Sequence, residues 1–261
     1  MTIASYEHHG NRDQPALVLL HGVGSGKEGF AAQRQTVVDA VWQFLAIDAP
    51  GFGNTPLPAE PGFGDHVAAV LGVLDHLGIE RAVLLGHSLG GMTAQEVFAH
   101  HRDRVAGLIL SATSPAFGKP DGDFQKEFLQ ARLEPFENGM TMPEFAAQFS
   151  KNLVGSNAEN GAVDAIIDVM SSVSIEAYSM AMKTLTRFDQ RANLSNIGVP
   201  TLLIAGEEDR NSPAPMMEKM ASKIAYSQYV MLPKTGHMAP IENHSAFNEV
   251  VKSFLEGMKP Q

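Results

Sequence analysis

The chain has 261 residues, 44% of them hydrophobic, enough for one large α/β domain or two small ones with a buried core. Its formal net charge of −10 argues against attraction to nucleic acid or to an anionic membrane surface. Cysteine is absent, which excludes a disulfide, a thiolate metal site and a cysteine nucleophile.

The N-terminal stretch Met1 to Glu7 has neither the basic start nor the apolar centre of a secretory signal. No apolar run approaches the ~20 residues needed to cross a bilayer. A cytoplasmic location without membrane contact is therefore expected. Short runs rich in Leu, Ile and Val then alternate with helical patterns. Ala16 to Leu20, Phe44 to Ile47, Ala82 to Leu85, Val105 to Leu110, Thr201 to Ala205 and Tyr229 to Leu232 each read as a buried strand. Continuous apolar runs of this length suit parallel strands covered on both faces.

Between them, Asp65 is expected to cap a helix whose stripe is Val67, Val70, Leu71, Leu74 and Leu77, with Gly78 ending it. Pro213 sits near the first turn of a helix running through Met216, Met217 and Met220. Phe247, Val250, Val251, Phe254 and Leu255 predict a final helix packed on the sheet. The order implies an α/β fold: a mainly parallel sheet with helices on both faces.

From 114 to 189 no strand is predicted, only helical patterns rich in Phe and Met. A stretch this long is no simple loop, and it predicts a helical cap inserted into a core made of 1–113 and 190–261. Phe117, Phe124, Phe128, Phe136, Met140, Met142, Phe145 and Phe149 fall in its first half. Met170, Tyr178, Met180, Met182 and Phe188 follow. Most are expected to pack the cap's own core, and a minority to line an apolar pocket. Arg132 and Lys183 can meet a substrate carboxylate there, although solvent-facing charges on helices are the plainer expectation.

Gly86-His87-Ser88-Leu89-Gly90 carries the chemistry. Gly-x-Ser-x-Gly between an apolar strand and a helix is a nucleophile elbow, which holds a strained serine above the sheet edge. The N–H of Leu89, at a helix N-terminus, then faces the place where negative charge develops. The five residues are weak evidence alone, but the strand before them and the helix after supply the required context.

These residues resemble the α/β-hydrolase superfamily over nearly the whole chain. The nearest likeness is to small esterases and lactonases of the 3-oxoadipate enol-lactonase-like group. Leu19 to Gly24, Asp48 to Gly53, Gly86 to Met92, Ala205 to Asp209 and Gly236-His237 occur in the family's order. The resemblance implies that Ser88 is the nucleophile, Asp209 the acid and His237 the base, with the N–H groups of Val23 and Leu89 as the oxyanion hole. His21 is expected to shape its loop, and Asp48 to be structural. Glu207 and Glu208 fall earlier in the turn than Asp209. His87 is expected to tune or pack the elbow with its side chain turned away from Ser88. His8, His9, His66, His76, His100, His101 and His244 read as surface or capping residues. One departure stands at His21-Gly22, where enol-lactonases often have Asn-Ser, and it weakens the lactone assignment without touching the mechanism.

Serine at the elbow, rather than aspartate, argues against a haloalkane dehalogenase or an epoxide hydrolase. The expected activity is cleavage of a small carboxylic ester or lactone through an acyl-enzyme, with no metal or organic cofactor. Two alternatives keep the same triad: C–C cleavage of ring-fission products, and perhydrolysis. A third, of another class, is a receptor or partner-binding regulator on the same fold, marked by very slow turnover.

Overall fold

The apolar runs become strands because each is flanked by turn residues, and all but the last are buried on both faces; Tyr229 to Leu232, expected to be buried, instead forms an edge of the sheet with Met231 45% exposed. The computed structural model describes residues 3–60, 62–118 and 122–258. The expectations placed on Met1, Thr2 and residues 259–261 lie outside them. Strands β1 (Tyr6–His9), β2 (Ala16–Leu20), β3 (Gln43–Ile47), β4 (Ala82–His87), β5 (Val105–Ser111), β6 (Thr201–Gly206) and β7 (Ser227–Leu232) form one sheet. Their order is β1-β3-β2-β4-β5-β6-β7. β1 runs antiparallel to β3, and every other pairing is parallel. β1 escaped prediction because Tyr6-Glu7-His8-His9 is a polar, largely half-buried edge strand without the apolar run of its neighbours.

Helices α1 (Arg34–Asp39), α2 (Phe63–Leu77), α3 (Leu89–His100), α4 (Asp123–Glu137) and α5 (Met142–Phe149) follow in chain order. So do α6 (Ala162–Ser171), α7 (Ile175–Leu185), α8 (Ala214–Ala221), α9 (Ala239–Glu242) and α10 (His244–Gly257). Val18 and Leu84 face α2, α3 and α8 through Val70, Val97 and Met217. Leu17 and Leu85 face the opposite side, where Val37 of α1 and Phe247 of α10 cover them. This period of two puts helices on both faces, and each fully buried Leu or Phe contributes roughly 1.5–3 kcal/mol.

α2 begins earlier than its apolar stripe suggested. Gly62 is the N-cap, and Asp65 sits three residues on, where its carboxylate accepts the Gly62 N–H at 3.0 Å. Gly78 ends the helix in the left-handed region at φ 69°. None of the helices among the described residues is long and apolar enough to cross a membrane.

Between β5 and β6 the described residues form α4 to α7 and no further strand of the sheet. The segment leaves and returns through a narrow neck. Phe117 N–H donates to the Phe188 carbonyl at 2.9 Å and Gln190 N–H to that of Pro115 at 2.8 Å. A third core joins this segment to the sheet's carboxyl end, where Val23, Phe52, Leu89 and Met92 pack with Phe145, Met170, Tyr178 and Met182.

Candidate active site

Ser88 occupies the turn from β4 into α3 with φ 52° and ψ −116°, a conformation that L-residues rarely adopt. The turn holds it from several sides. Ser88 N–H donates to the Ser111 carbonyl at 2.9 Å, and Thr113 Oγ1 donates to the Ser88 carbonyl at 2.8 Å. The glycines are required by close approach: a Cβ on Gly86 would strike the Gly90 backbone, and one on Gly90 would strike the Leu20 carbonyl. The first turn of α3 leaves the Leu89 N–H without an intrahelical acceptor.

The loop after β2 lies beside this turn. A Cβ on Gly22 would stand 3.1 Å from Ser88 Cβ, so the bare backbone of His21-Gly22-Val23 comes up against the serine. His21 shapes that loop, as expected. The Ala49 N–H donates to its Nε2 at 2.9 Å, so Nδ1 carries the proton and donates to the Gly22 carbonyl at 2.8 Å. Burial lowers the pKa of this ring and keeps it neutral. Asp48 is fully buried and structural: it accepts the Lys27 N–H at 2.9 Å and meets Lys27 Nζ at 2.6 Å.

Asp209 leaves β6 and His237 leaves β7, and the two meet at 2.8 Å between Oδ2 and Nδ1. A carboxylate only accepts, so Nδ1 carries the proton and Nε2 keeps a free lone pair. Asp209 Oδ1 accepts the N–H groups of Asn211 at 2.7 Å and Ser212 at 3.0 Å. Burial pushes its pKa up, but His237 and these donors outweigh it and hold the carboxyl below its ordinary value. Glu207 and Glu208 point elsewhere: Glu207 accepts the Lys234 N–H, and Glu208 accepts from Ser156 N and Oγ.

Two histidines differ from expectation. The His87 ring is not turned away from the elbow. It lies 5.1 Å from the His237 ring, centroid to centroid, and lines the same cavity as Ser88. Burial and the neighbouring His237 lower its pKa to about 3, so it remains neutral beside its neighbour. His66 is no surface residue. It is buried, 3.3 Å from Thr93 Oγ1, and burial lowers its pKa to about 3.

Glu242 was missed altogether. Fully buried in α9, it accepts N–H groups from Gly236 at 3.0 Å, Met238 at 2.9 Å and Gly155 at 2.6 Å. It thus grips both neighbours of His237 and ties them to the segment between β5 and β6. His237 N–H itself donates to the Leu153 carbonyl at 2.6 Å. Only the burial of an acidic residue marks it, and nothing in a linear sequence signals that.

Ser88, His237, Val23 and Leu89 line one cavity of about 340 Å³. Its roof comes from the helical segment: Phe117, Phe124, Phe128, Phe149, Met170, Tyr178 and Met182 line it, seven of the thirteen aromatic and methionine residues noted there. The expected minority is a majority, because the same side chains serve as core and wall: Met170, Tyr178 and Met182 are packed in the third core and line the cavity as well. Arg132 also lines the cavity, whereas Lys183 is exposed outside it.

Comparison with known proteins agrees with this fold. The sequence model described as alpha/beta hydrolase fold matches residues 15–244. A 2-hydroxy-6-oxononadienedioate/2-hydroxy-6-oxononatrienedioate hydrolase from Pseudomonas sp is 28% identical over 94% of this chain and 89% of its own. A 3-oxoadipate enol-lactonase 2 from Acinetobacter baylyi is 26% identical over 97% of this chain and 92% of its own. Among solved structures, a thermophilic esterase from Thermogutta terrifontis, with malate bound, superposes with a TM-score of 0.88 at 26% identity. That match covers 98% of this chain and 94% of the esterase.

Proposed function

This chain belongs to the α/β-hydrolase fold family, and on that premise we propose that it is a serine hydrolase of small carboxylic esters or lactones. Residues 1–113 and 190–261 are its core, and 114–189 its cap. The observation that carries the reading is the strained Ser88 sharing a cavity with His237, whose Nδ1 is bonded to buried Asp209 at 2.8 Å.

In this reading Ser88 Oγ attacks the substrate carbonyl while His237 Nε2 takes the hydroxyl proton. Asp209 keeps the ring in the tautomer that can do so and stabilises the imidazolium that forms. The carbonyl oxygen becomes an oxyanion and accepts from the N–H groups of Val23 and Leu89. Each such donor typically supplies about 3 kcal/mol of transition-state stabilisation. Collapse breaks the C–O bond, and the leaving oxygen takes the proton back from His237. Water, deprotonated by His237, then attacks the acyl-serine and releases the acid and free Ser88.

The relatives named as a 2-hydroxy-6-oxononadienedioate/2-hydroxy-6-oxononatrienedioate hydrolase and as a 3-oxoadipate enol-lactonase both match over nearly the whole chain, so cleavage of a C–C bond stands as a second reading. Turnover on p-nitrophenyl acetate, an enol lactone and a vinylogous diketone separates the two; reaction with the diketone alone would end the esterase reading. Ser88→Ala tests the nucleophile: kcat should drop by ~10⁵–10⁶-fold, and a fluorophosphonate label found on wild-type Ser88 by mass spectrometry should vanish. Turnover undiminished in that variant would overturn the mechanism.

A further inference from the structure

Nobody reading the charge balance of the whole chain would expect the cavity it encloses. The protein carries 29 acidic and 19 basic side chains. Yet among the described residues those lining the cavity include Arg132 and Arg210 and not one Asp or Glu. Arg132 is the deeper of the two, half-buried on α4, while Arg210 is exposed. The Arg132 guanidinium lies 4.2 Å from the Phe149 ring centroid and 5.3 Å from that of Phe128. The two rings hold its flat ion in place by cation–π contact, and among the described residues no carboxylate comes within salt-bridge distance of it. A guanidinium held by aromatic rings keeps its N–H donors at the edges, the geometry that suits a planar carboxylate.

A second, independent observation points to the same place. Tyr178 on α7 is 1% exposed and lines the cavity, and its hydroxyl has no hydrogen-bond partner among the described residues. A buried hydroxyl without a partner is destabilising, and an acceptor on a bound molecule would relieve it. Burial raises the Tyr178 pKa to about 12, with Arg132 near enough to act against that rise, so the phenol stays a donor.

We propose that Arg132 and the Tyr178 hydroxyl form a carboxylate subsite in the cap, and that the substrate is an ester or lactone carrying a second, free carboxylate away from the bond that breaks. This rests on the serine-hydrolase reading for its chemistry, but the subsite is separately testable by binding.

The kinetic test compares p-nitrophenyl half-esters of succinate, glutarate, adipate and pimelate with p-nitrophenyl esters of monoacids of matching length. The acetyl ester of 4-hydroxybenzoate, set against that of p-cresol, puts the acid on the leaving group instead. Wild type should favour the best acid-bearing ester. Arg132→Met should lower the ratio of acid-bearing to neutral kcat/KM by ~10–100-fold, mainly through KM, and Tyr178→Phe by ~3–10-fold. An unchanged ratio in both variants, or no wild-type preference for any acid-bearing ester, overturns the subsite.

Binding needs neither turnover nor a cap variant that folds. Glutarate and adipate, titrated into wild type and into Ser88→Ala by calorimetry, should bind both proteins and weaken with added salt. They should also compete with a neutral ester in wild type. Absence of binding and competition by every dicarboxylate rejects the subsite even if Arg132→Met aggregates. Dicarboxylate binding in a protein whose Ser88→Ala variant still turns over esters would leave the subsite standing and remove the serine mechanism.

Discussion

Ser88, Asp209 and His237 sit on turns leaving the carboxyl ends of β4, β6 and β7, whereas Phe128, Arg132, Tyr178 and Met182 hang from helices that the chain enters and leaves through one neck and that are braced at residues 153–159 against the turns beyond β7. The floor of the cavity is held by backbone: parallel strands, a φ that strains serine, glycines pressed against carbonyls, and N–H groups on carboxylates. The roof is held by side chains packing on side chains, such as Phe145 stacked on Phe149 with their ring centroids 5.2 Å apart. A backbone-held site tolerates few residue types and so leaves a readable pattern. A packed roof accepts many apolar sequences of similar volume, and its inner surface can change while the fold persists. Damage to the floor should therefore depress every substrate alike, and damage to the roof should redistribute preference among substrates.

Asp209→Asn gives the largest floor effect after the loss of the nucleophile itself. The amide keeps the shape but offers an N–H or a weaker acceptor to His237 Nδ1, so the ring loses the tautomer with Nε2 free. kcat should fall by ~10⁴-fold on acid-bearing and neutral esters alike. A loss confined to one class of ester would break the division between floor and roof.

Glu242 stands on the seam, which makes it the sharper test of that division. Its Oε2 accepts from both Gly155 and Gly236, and its Oε1 from Met238. Glutamine has one acceptor oxygen, and its NH₂ group would face an N–H donor on the other side. Glu242→Gln should lower kcat by ~10–100-fold, consistent with the loss of one or two charge-assisted bonds, and should lower the melting temperature as well. If the seam only braces His237, the ratio of acid-bearing to neutral kcat/KM stays constant. A shifted ratio would mean that strain at Gly155 reaches the roof.

The same contrast explains what was legible before the structure. β2 to β7 and the elbow were readable because each depends on a local rule of backbone geometry, and the His21 loop, Asp209 and His237 were readable through the order of motifs that the chain shares with the family it resembles. β1 was not, since an edge strand like Tyr6 to His9 can be polar and still be paired through its backbone. His66 and His87 were misread because neither burial nor ring orientation follows from neighbours in sequence. Glu242 depends on three N–H groups, one of them far along the chain at Gly155, and only folding brings them together. Arg132 and Lys183 looked alike as helical cations, and the facing of α4 and α7 separated them.

The smallest of the expected effects also divides floor from roof. Every histidine of the chain lies outside 114–189, so the buried rings that titrate on acidification belong to the sheet, its turns and the helices on its faces. Among the buried ones, desolvation lowers the pKa of His21, His66 and His87. Such a ring takes up a proton in the unfolded chain before it does so in the folded one. Stability is then fully present above the unfolded value of 6.5 and declines as pH falls toward about 3, where His66 and His87 protonate in place. At about pH 5 the loss is on the order of 2 kcal/mol for each of these two rings relative to about pH 7.5. Together they should lower the melting temperature by on the order of 10 °C over that interval, measured by scanning calorimetry. His66→Gln keeps a polar group for Thr93 but cannot titrate. It should melt lower than wild type at neutral pH and yet lose about half as much between the two pH values. A drop as steep as that of wild type would mean that His66 is protonated inside the fold near its ordinary pKa, and that the ground beneath the elbow is wetter than its packing implies.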